Sequence, residues 1–216
     1  VAVEVIPGDL ADPETPGHLR SSLRAAGIEV NVLVNNAGFG SQGPFHQERL
    51  SSQLQMIRVN VEALTHLTGL FLPEMVRRGS GGILQVASTA AFQPGPHMAV
   101  YYATKAYVLH FAEAIREEVR RAGVTVTALC PGPVPTAFQE RAEMEDVALA
   151  RGAVPMLSAE RVAEAGYRGL VRGEGVVIPG TLNRLGATAV RFVPRAVVRK
   201  VTGRLNAGPG SEEKED

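Results

Sequence analysis

The chain has 216 residues with 22 Lys and Arg against 22 Asp and Glu, a formal net charge of zero, 45% apolar residues and a mean hydropathy of +0.03. This balance leaves no electrostatic footprint for nucleic acid, while the length and composition suit a globular chain with a sizeable core. A single cysteine, Cys130, excludes an internal disulfide, and five histidines without ligand spacing give no basis for a structural metal.

In chain order, apolar runs alternate with amphipathic stretches. Residues 1–6 read as a strand leading to Asp9-Leu10, and a helical pattern over 15–26 stops at Gly27. A second strand over 30–35 runs into Asn35-Asn36-Ala37-Gly38. A long helical stretch over 51–78 contains Asn60 and breaks at Gly79-Ser80-Gly81-Gly82. The strand over 83–87 ends at Ser88, and a helix over 100–122, carrying Tyr101 and Lys105, breaks at Gly123. A strand over 124–129 leads through Cys130, whose place at a strand end suits a buried inert thiol, into Pro131-Gly132-Pro133-Val134-Pro135-Thr136. A helix over 159–171 and a strand over 176–179 follow.

The alternation predicts an α/β fold with a parallel sheet and right-handed crossovers. In such sheets ligands bind beyond the carboxyl ends of the strands, where Asp9, Asn36, Ser88 and Pro131 fall. No apolar run reaches the ~18 residues that cross a bilayer and no signal peptide is present, so the expected compartment is the cytoplasm.

Tyr101 and Lys105 are the most informative pair. At i and i+4 on a helix they share a face, so the ammonium can stand beside the phenol. A nearby cation favours the phenolate and should move the phenol's pKa from its usual ~10 toward neutrality. Arginine, a planar fork, is a poorer point charge for this purpose. Ser88 adds a neutral hydrogen bond for a substrate oxygen. Against this stands the plain alternative that the pair simply lies on the surface of an amphipathic helix.

The order of Asp9-Leu10, Asn35-Asn36-Ala37-Gly38, Asn60, Ser88, Tyr101 to Lys105 and Pro131 to Thr136 resembles the short-chain dehydrogenase/reductase family, from residue 1 to about 180. The resemblance implies a Rossmann-like doubly wound parallel sheet, NAD or NADP as cofactor, a small carbonyl or alcohol substrate and a homo-dimer or tetramer. It implies Tyr101 as acid/base and Lys105 as the residue that lowers its pKa and grips the nicotinamide ribose. Ser88 would orient the substrate and Asn60 hold a water that links Lys105 to solvent. Asp9 and Leu10 would line the adenine pocket. Asn36, Ala37 and Gly38 would line the cofactor, as would Pro131 and Gly132, with Val134 and Thr136 at its carboxamide.

One departure is large. The family opens with a strand, a Gly-rich phosphate loop, a helix and a second strand that selects NAD or NADP, whereas this sequence starts at the equivalent of the third strand. The expected fold is therefore N-terminally truncated, with strands 1 and 2 absent, and the cofactor's identity is unreadable. In the family's strand order, 3-2-1-4-5-6-7, this leaves the strand over 30–35 as an open apolar edge. Either an active polypeptide begins upstream of Val1, or strand 3 pairs abnormally with strand 4. Gly38-Phe39-Gly40-Ser41-Gln42-Gly43 mimics the dinucleotide fingerprint, but Pro44 follows it and no acidic strand end arrives about twenty residues later, so a glycine-permitted turn is the better reading.

Residues 137–157 correspond to the family's variable substrate lid. Phe138 and Met144 there, with Phe92 and Met98, form a candidate pocket for an apolar carbonyl, although packing of the lid accounts for them equally well. Residues 1–182 form the catalytic domain, 183–207 a basic helical extension and 208–216 an acidic disordered tail. The extension carries Arg184, Arg191, Arg195, Arg199, Lys200 and Arg204 among apolar residues. Covering the body or a sister subunit is favoured over peripheral membrane contact. Two other functions compete with the oxidoreductase: a noncatalytic cofactor-sensing or dimer scaffold, and a serine hydrolase, for which no G-x-S-x-G elbow exists.

Overall fold

In the computed structural model, which describes residues 2–136, 138 and 156–207, the alternation becomes a four-stranded parallel sheet with helices on both faces. Strands β1 (Val32–Asn35), β2 (Gly81–Val86), β3 (Val124–Leu129) and β4 (Val176–Val177) stand side by side in sequence order. Each neighbouring pair is parallel, so every connection crosses over through helix. Helix α1 (Thr15–Ala25) precedes β1. Helix α2 (Leu50–Ile57) continues through a π turn, Arg58–Ala63, into α3 (Leu64–Arg78). Helix α4 (Ala99–Val119) joins β2 to β3, α5 (Ala159–Val171) precedes β4, and α6 (Thr181–Ala189) and α7 (Arg195–Asn206) follow. Among the described residues no helix is long and apolar enough to cross a membrane.

β2 and β3 read as continuous apolar runs because both their faces are covered. Ile83 and Val126 pack with Leu67, Phe71, Val108 and Ala112 of α3 and α4. On the opposite face Leu84 and Leu129 meet Val162 and Leu170 of α5. At the carboxyl end of β1 the buried Asn35 donates through Nδ2 to Gln85 Oε1 at 3.0 Å and to Thr68 Oγ1 at 3.1 Å, and Thr68 in turn donates to the Leu64 carbonyl at 2.7 Å. This satisfied cluster ties strand ends to α3 without stranding a buried polar atom.

One expectation fails at the end of the sheet. The strand expected over 1–6 does not form: residues 2–9 have no regular structure, and Val3 and Val5 are each 80% exposed. An isolated strand has no ladder partner, and strand 3 does not pair with strand 4 here. β1 is accordingly the sheet's edge, with Val32 and Val34 both 51% exposed. Elsewhere, the helix read over 51–78 is interrupted by the π turn, and the extension over 183–207 is two helices separated before Pro194, which caps α7. The tail over 208–216 lies outside the described residues, as does most of the lid.

Candidate active site

The carboxyl ends of the sheet open on a cavity of about 500 Å³ lined by Ser88, Tyr101 and Lys105. Each side chain is placed by its element. Ser88 leaves β2 in extended conformation and caps a short 3-10 turn (Thr89–Phe92), its Oγ accepting from Ala90 N at 3.1 Å. Tyr101 and Lys105 occupy the first two turns of α4, one turn apart. Lys105 donates from Nζ to the Val86 carbonyl at 2.8 Å and lies 5.8 Å from the centre of the Tyr101 ring. Asn60 sits in the π turn, 1% exposed, where its side chain pairs with both backbone groups of Phe39, accepting from N at 3.1 Å and donating to O at 2.9 Å. It also donates to Thr104 Oγ1 at 3.1 Å, so it ties the loop after β1 to α4.

The electrostatics differ from expectation. Tyr101 and Lys105 are only 9% and 6% exposed, and burial disfavours the charged form of both. Burial pushes the Tyr101 phenol up to about 12, with the Ser88 hydroxyl, a hydrogen-bonding neighbour, pulling the other way. The same burial brings the Lys105 ammonium down to about 8. The expected lowering of the phenol's pKa by Lys105 does not arise: desolvation dominates, only Ser88 pulls downward, and the tyrosine rests as a protonated donor. Cys130 is fully buried, and burial raises its thiol to about 12, the inert state expected.

Asn36, Gly38, Pro131, Gly132, Val134, Thr136, Met98 and Phe138 line the same cavity. Phe138 stacks obliquely on Tyr101, with ring centres 5.3 Å apart. Ala37 lies between two lining residues without lining it. Asp9 and Leu10 are elsewhere. Asp9 closes a local turn, accepting from Ala11 N at 2.9 Å, and Leu10 packs on the main core; with no strand before them they do not stand at a strand end. Phe92 also leaves the proposed pocket, packing against the main core beside α4. Met144 falls outside the described residues.

Three contributors escaped the sequence reading. Tyr102 lines the cavity, and its hydroxyl donates to Asn206 Oδ1 at 3.1 Å. Asn206, fully buried at the end of α7, donates from Nδ2 to the Pro96 carbonyl at 3.0 Å, and its own carbonyl accepts from Gln42 Nε2 at 3.1 Å. A partner more than a hundred positions away leaves no local signal. Gly40 is the third. A Cβ there would lie 3.0 Å from the Phe138 ring and 3.2 Å from that of Tyr101. At Gly38 it would lie 3.0 Å from Asn60 Oδ1 and 3.4 Å from Lys105 Nζ. Gly38 and Gly40 of the false fingerprint are therefore small because the side chains of Asn60, Lys105, Phe138 and Tyr101 lie against them, not because a turn needs positive φ at these two positions.

The model of the short chain dehydrogenase family matches residues 1–146. The chain belongs to this family. It is similar to the ketoacyl reductase HetN of Nostoc sp., 37% identical over 105 residues, or 49% of this chain and 37% of that protein. It is 33% identical to the human very-long-chain 3-oxoacyl-CoA reductase over 135 residues, 61% of this chain and 43% of the relative. The chain thus spans less than half the length of these two relatives. A short-chain dehydrogenase from Sphingobium yanoikuyae, solved with NADPH, superposes with a TM-score of 0.76 at 27% identity, covering 100% of this chain and 80% of that one.

Members of this family are NAD(P)-dependent oxidoreductases, and the cavity suits the nicotinamide–ribose half of that cofactor. Among the described residues the Lys105 ammonium, with three donors, has one hydrogen-bond acceptor, Val86 O. Its remaining donors would be able to hold hydroxyls of a bound ribose, and Pro131, Gly132, Pro133, Val134 and Thr136 line the cavity wall.

Proposed function

We propose that this chain carries the catalytic machinery of an NAD(P)-dependent reductase that turns an apolar carbonyl compound of the 3-oxoacyl type into its alcohol. The observation that carries the reading is the meeting of Ser88, Tyr101 and Lys105 on one cavity with the phenol held protonated. When bound, the nicotinamide would supply the hydride for the carbonyl carbon. Tyr101 gives its proton to the carbonyl oxygen as the alcohol forms, and the Ser88 hydroxyl donates a hydrogen bond that holds that oxygen in place. Lys105 binds the ribose, and its charge favours the phenolate left behind once the proton has gone. Asn60 keeps the Phe39 backbone and Thr104 in register beneath this group.

A buried phenol is a donor at rest, which supports the reducing direction. Met98, Val134, Phe138 and Val162 give the cavity an apolar wall, which supports a hydrocarbon-bearing substrate, and the likeness to two acyl-chain reductases points the same way. The test is consumption of NADPH and of NADH with a series of 3-oxoacyl thioesters beside a small polar ketone. The reading expects kcat/KM to rise with acyl length by about tenfold for each two methylenes that enter the wall, at ~0.8 kcal/mol each. A preference for the polar ketone contradicts it.

Self-association belongs to the same proposal. Leu50, Leu54 and Ile57 share one face of α2 and, with Phe45 and Tyr107, are 40–62% exposed. We assign this strip to a homodimer contact. Sedimentation equilibrium of Leu54→Glu beside the parent chain checks it, with a shift toward monomer as the expected result.

A further inference from the structure

The basic extension was expected to cover the body or a sister subunit, and α7 covers the body along one side only. Val198, Thr202 and Asn206 are buried, at successive steps of four along the helix. The opposite side carries Val197 and Val201, 48% and 51% exposed, one turn apart, with Lys200 and Arg204 one turn apart beside them. At its start, Phe192 stands 82% exposed between Arg191 and Arg195. Leu182 and Leu185 on α6 are each 60% exposed.

Among the described residues the charges on this side are unanswered, and the sequence has no acidic residue between Glu174 and Glu212. Among the described residues Arg195, Arg199, Lys200 and Arg204 form no ion pair and no side-chain hydrogen bond. Arginines elsewhere do: Arg20 with Glu74, Arg78 with Glu29, Arg120 with Glu117 and Arg168 with Glu164. A second copy seated symmetrically here would set these cations against their own equivalents, which opposes a two-fold contact. An aromatic wedge flanked by arginines, followed by a helix side of valines edged with lysine and arginine, matches a surface that is apolar within and anionic at its face.

We propose that the Phe192 turn and the outward side of α7 seat the protein on an anionic lipid surface. Phe192, Val197 and Val201 enter the region between headgroups and acyl chains, and Lys200 and Arg204 pair with lipid phosphates. The seat is reversible, since no helix among the described residues spans a bilayer. Its inner side ends on Asn206, which holds the cavity-lining Tyr102, so lipid and substrate cavity meet opposite sides of one helix.

The experiment is co-sedimentation of the chain with vesicles of phosphatidylcholine alone and of phosphatidylcholine with phosphatidylglycerol, at low and at high salt. It needs neither cofactor nor substrate, so its outcome is separate from that of the reductase reading. The expected result is binding to the anionic vesicles that weakens at least tenfold at high salt. Phe192→Ser and the pair Lys200→Glu, Arg204→Glu should each lower the bound fraction at least tenfold while circular dichroism stays unchanged. Because these side chains are exposed, the substitutions leave the buried side of α7 intact. Equal binding to both vesicles, no binding, or binding that ignores the substitutions overturns the proposal. So does a loss of dimer on Phe192→Ser, which would give this side to a second copy.

Discussion

Lys105 is where chemistry and stability oppose each other. Its amine falls from 10.5 in the open chain to about 8 in the fold, chiefly through burial. Below pH 8 it is charged in both states; between about 8 and 10.5 the unfolded chain binds more protons, so this group makes stability rise with pH; above that range it is neutral in both. The shift amounts to ~3 kcal/mol, so Lys105→Met should stabilise the chain by up to that amount at pH 7. Denaturant melts of the two proteins across pH 7 to 11 check this: the gap between them closes as pH rises. A constant gap would show that Lys105 is not desolvated as the structure has it. That Ser88, Tyr101 and Lys105 meet at one cavity was legible in the sequence because the proposed chemistry requires fixed residue types in a local pattern. The state of the phenol was not, because it depends on how much water the fold excludes. Asn206 was illegible for a related reason: nothing near it in sequence announces a bond to Tyr102.

Among the elements, the wall formed by Tyr102 depends on two supports. Beneath its ring lies Gly95, where a Cβ would collide with ring carbons, and above its hydroxyl lies Asn206. Asn206→Leu removes partners from Tyr102 Oη and Pro96 O, a loss of ~1–3 kcal/mol per buried group left unsatisfied. The expected outcome is a lowered melting temperature, with KM for a long-chain substrate raised more than kcat is lowered. Helix boundaries were mostly legible: α5 begins and ends where the pattern placed it, with Ser158 capping it through its hydroxyl onto Arg161 N. The π turn at Arg58–Ala63, in which Asn60 and Ala63 are buried, was not, since nothing in its local sequence marks an extra residue per turn. Gly123 shows the opposite case. Its φ is +70° and a Cβ would strike the Gly79 carbonyl, so the break read from a lone glycine was a requirement of the backbone. Gly123→Ala should cost at least ~1–2 kcal/mol by chemical denaturation.

At the scale of the molecule, the parallel sheet and the crevice at its carboxyl ends followed from the alternation of segments and the order of strands from the family resemblance, while the fate of residues 1–6 followed from neither. Apolar composition gives a strand its faces but cannot supply a ladder partner: Val3 and Val5 lie exposed, and Val32 and Val34 of the edge strand are exposed too. Such an edge is a template for association between chains. Val34→Lys should therefore raise the concentration at which light scattering first increases, with helix content unchanged. The most direct test of the reductase account compares Tyr101→Phe with the parent chain in two assays, NADPH-dependent carbonyl reduction and NADPH binding by fluorescence. Loss of the proton donor predicts turnover down by ~10²–10⁴ with cofactor affinity within about twofold. Turnover that persists without the hydroxyl, or falls only as far as cofactor binding falls, would contradict Tyr101 as the proton donor.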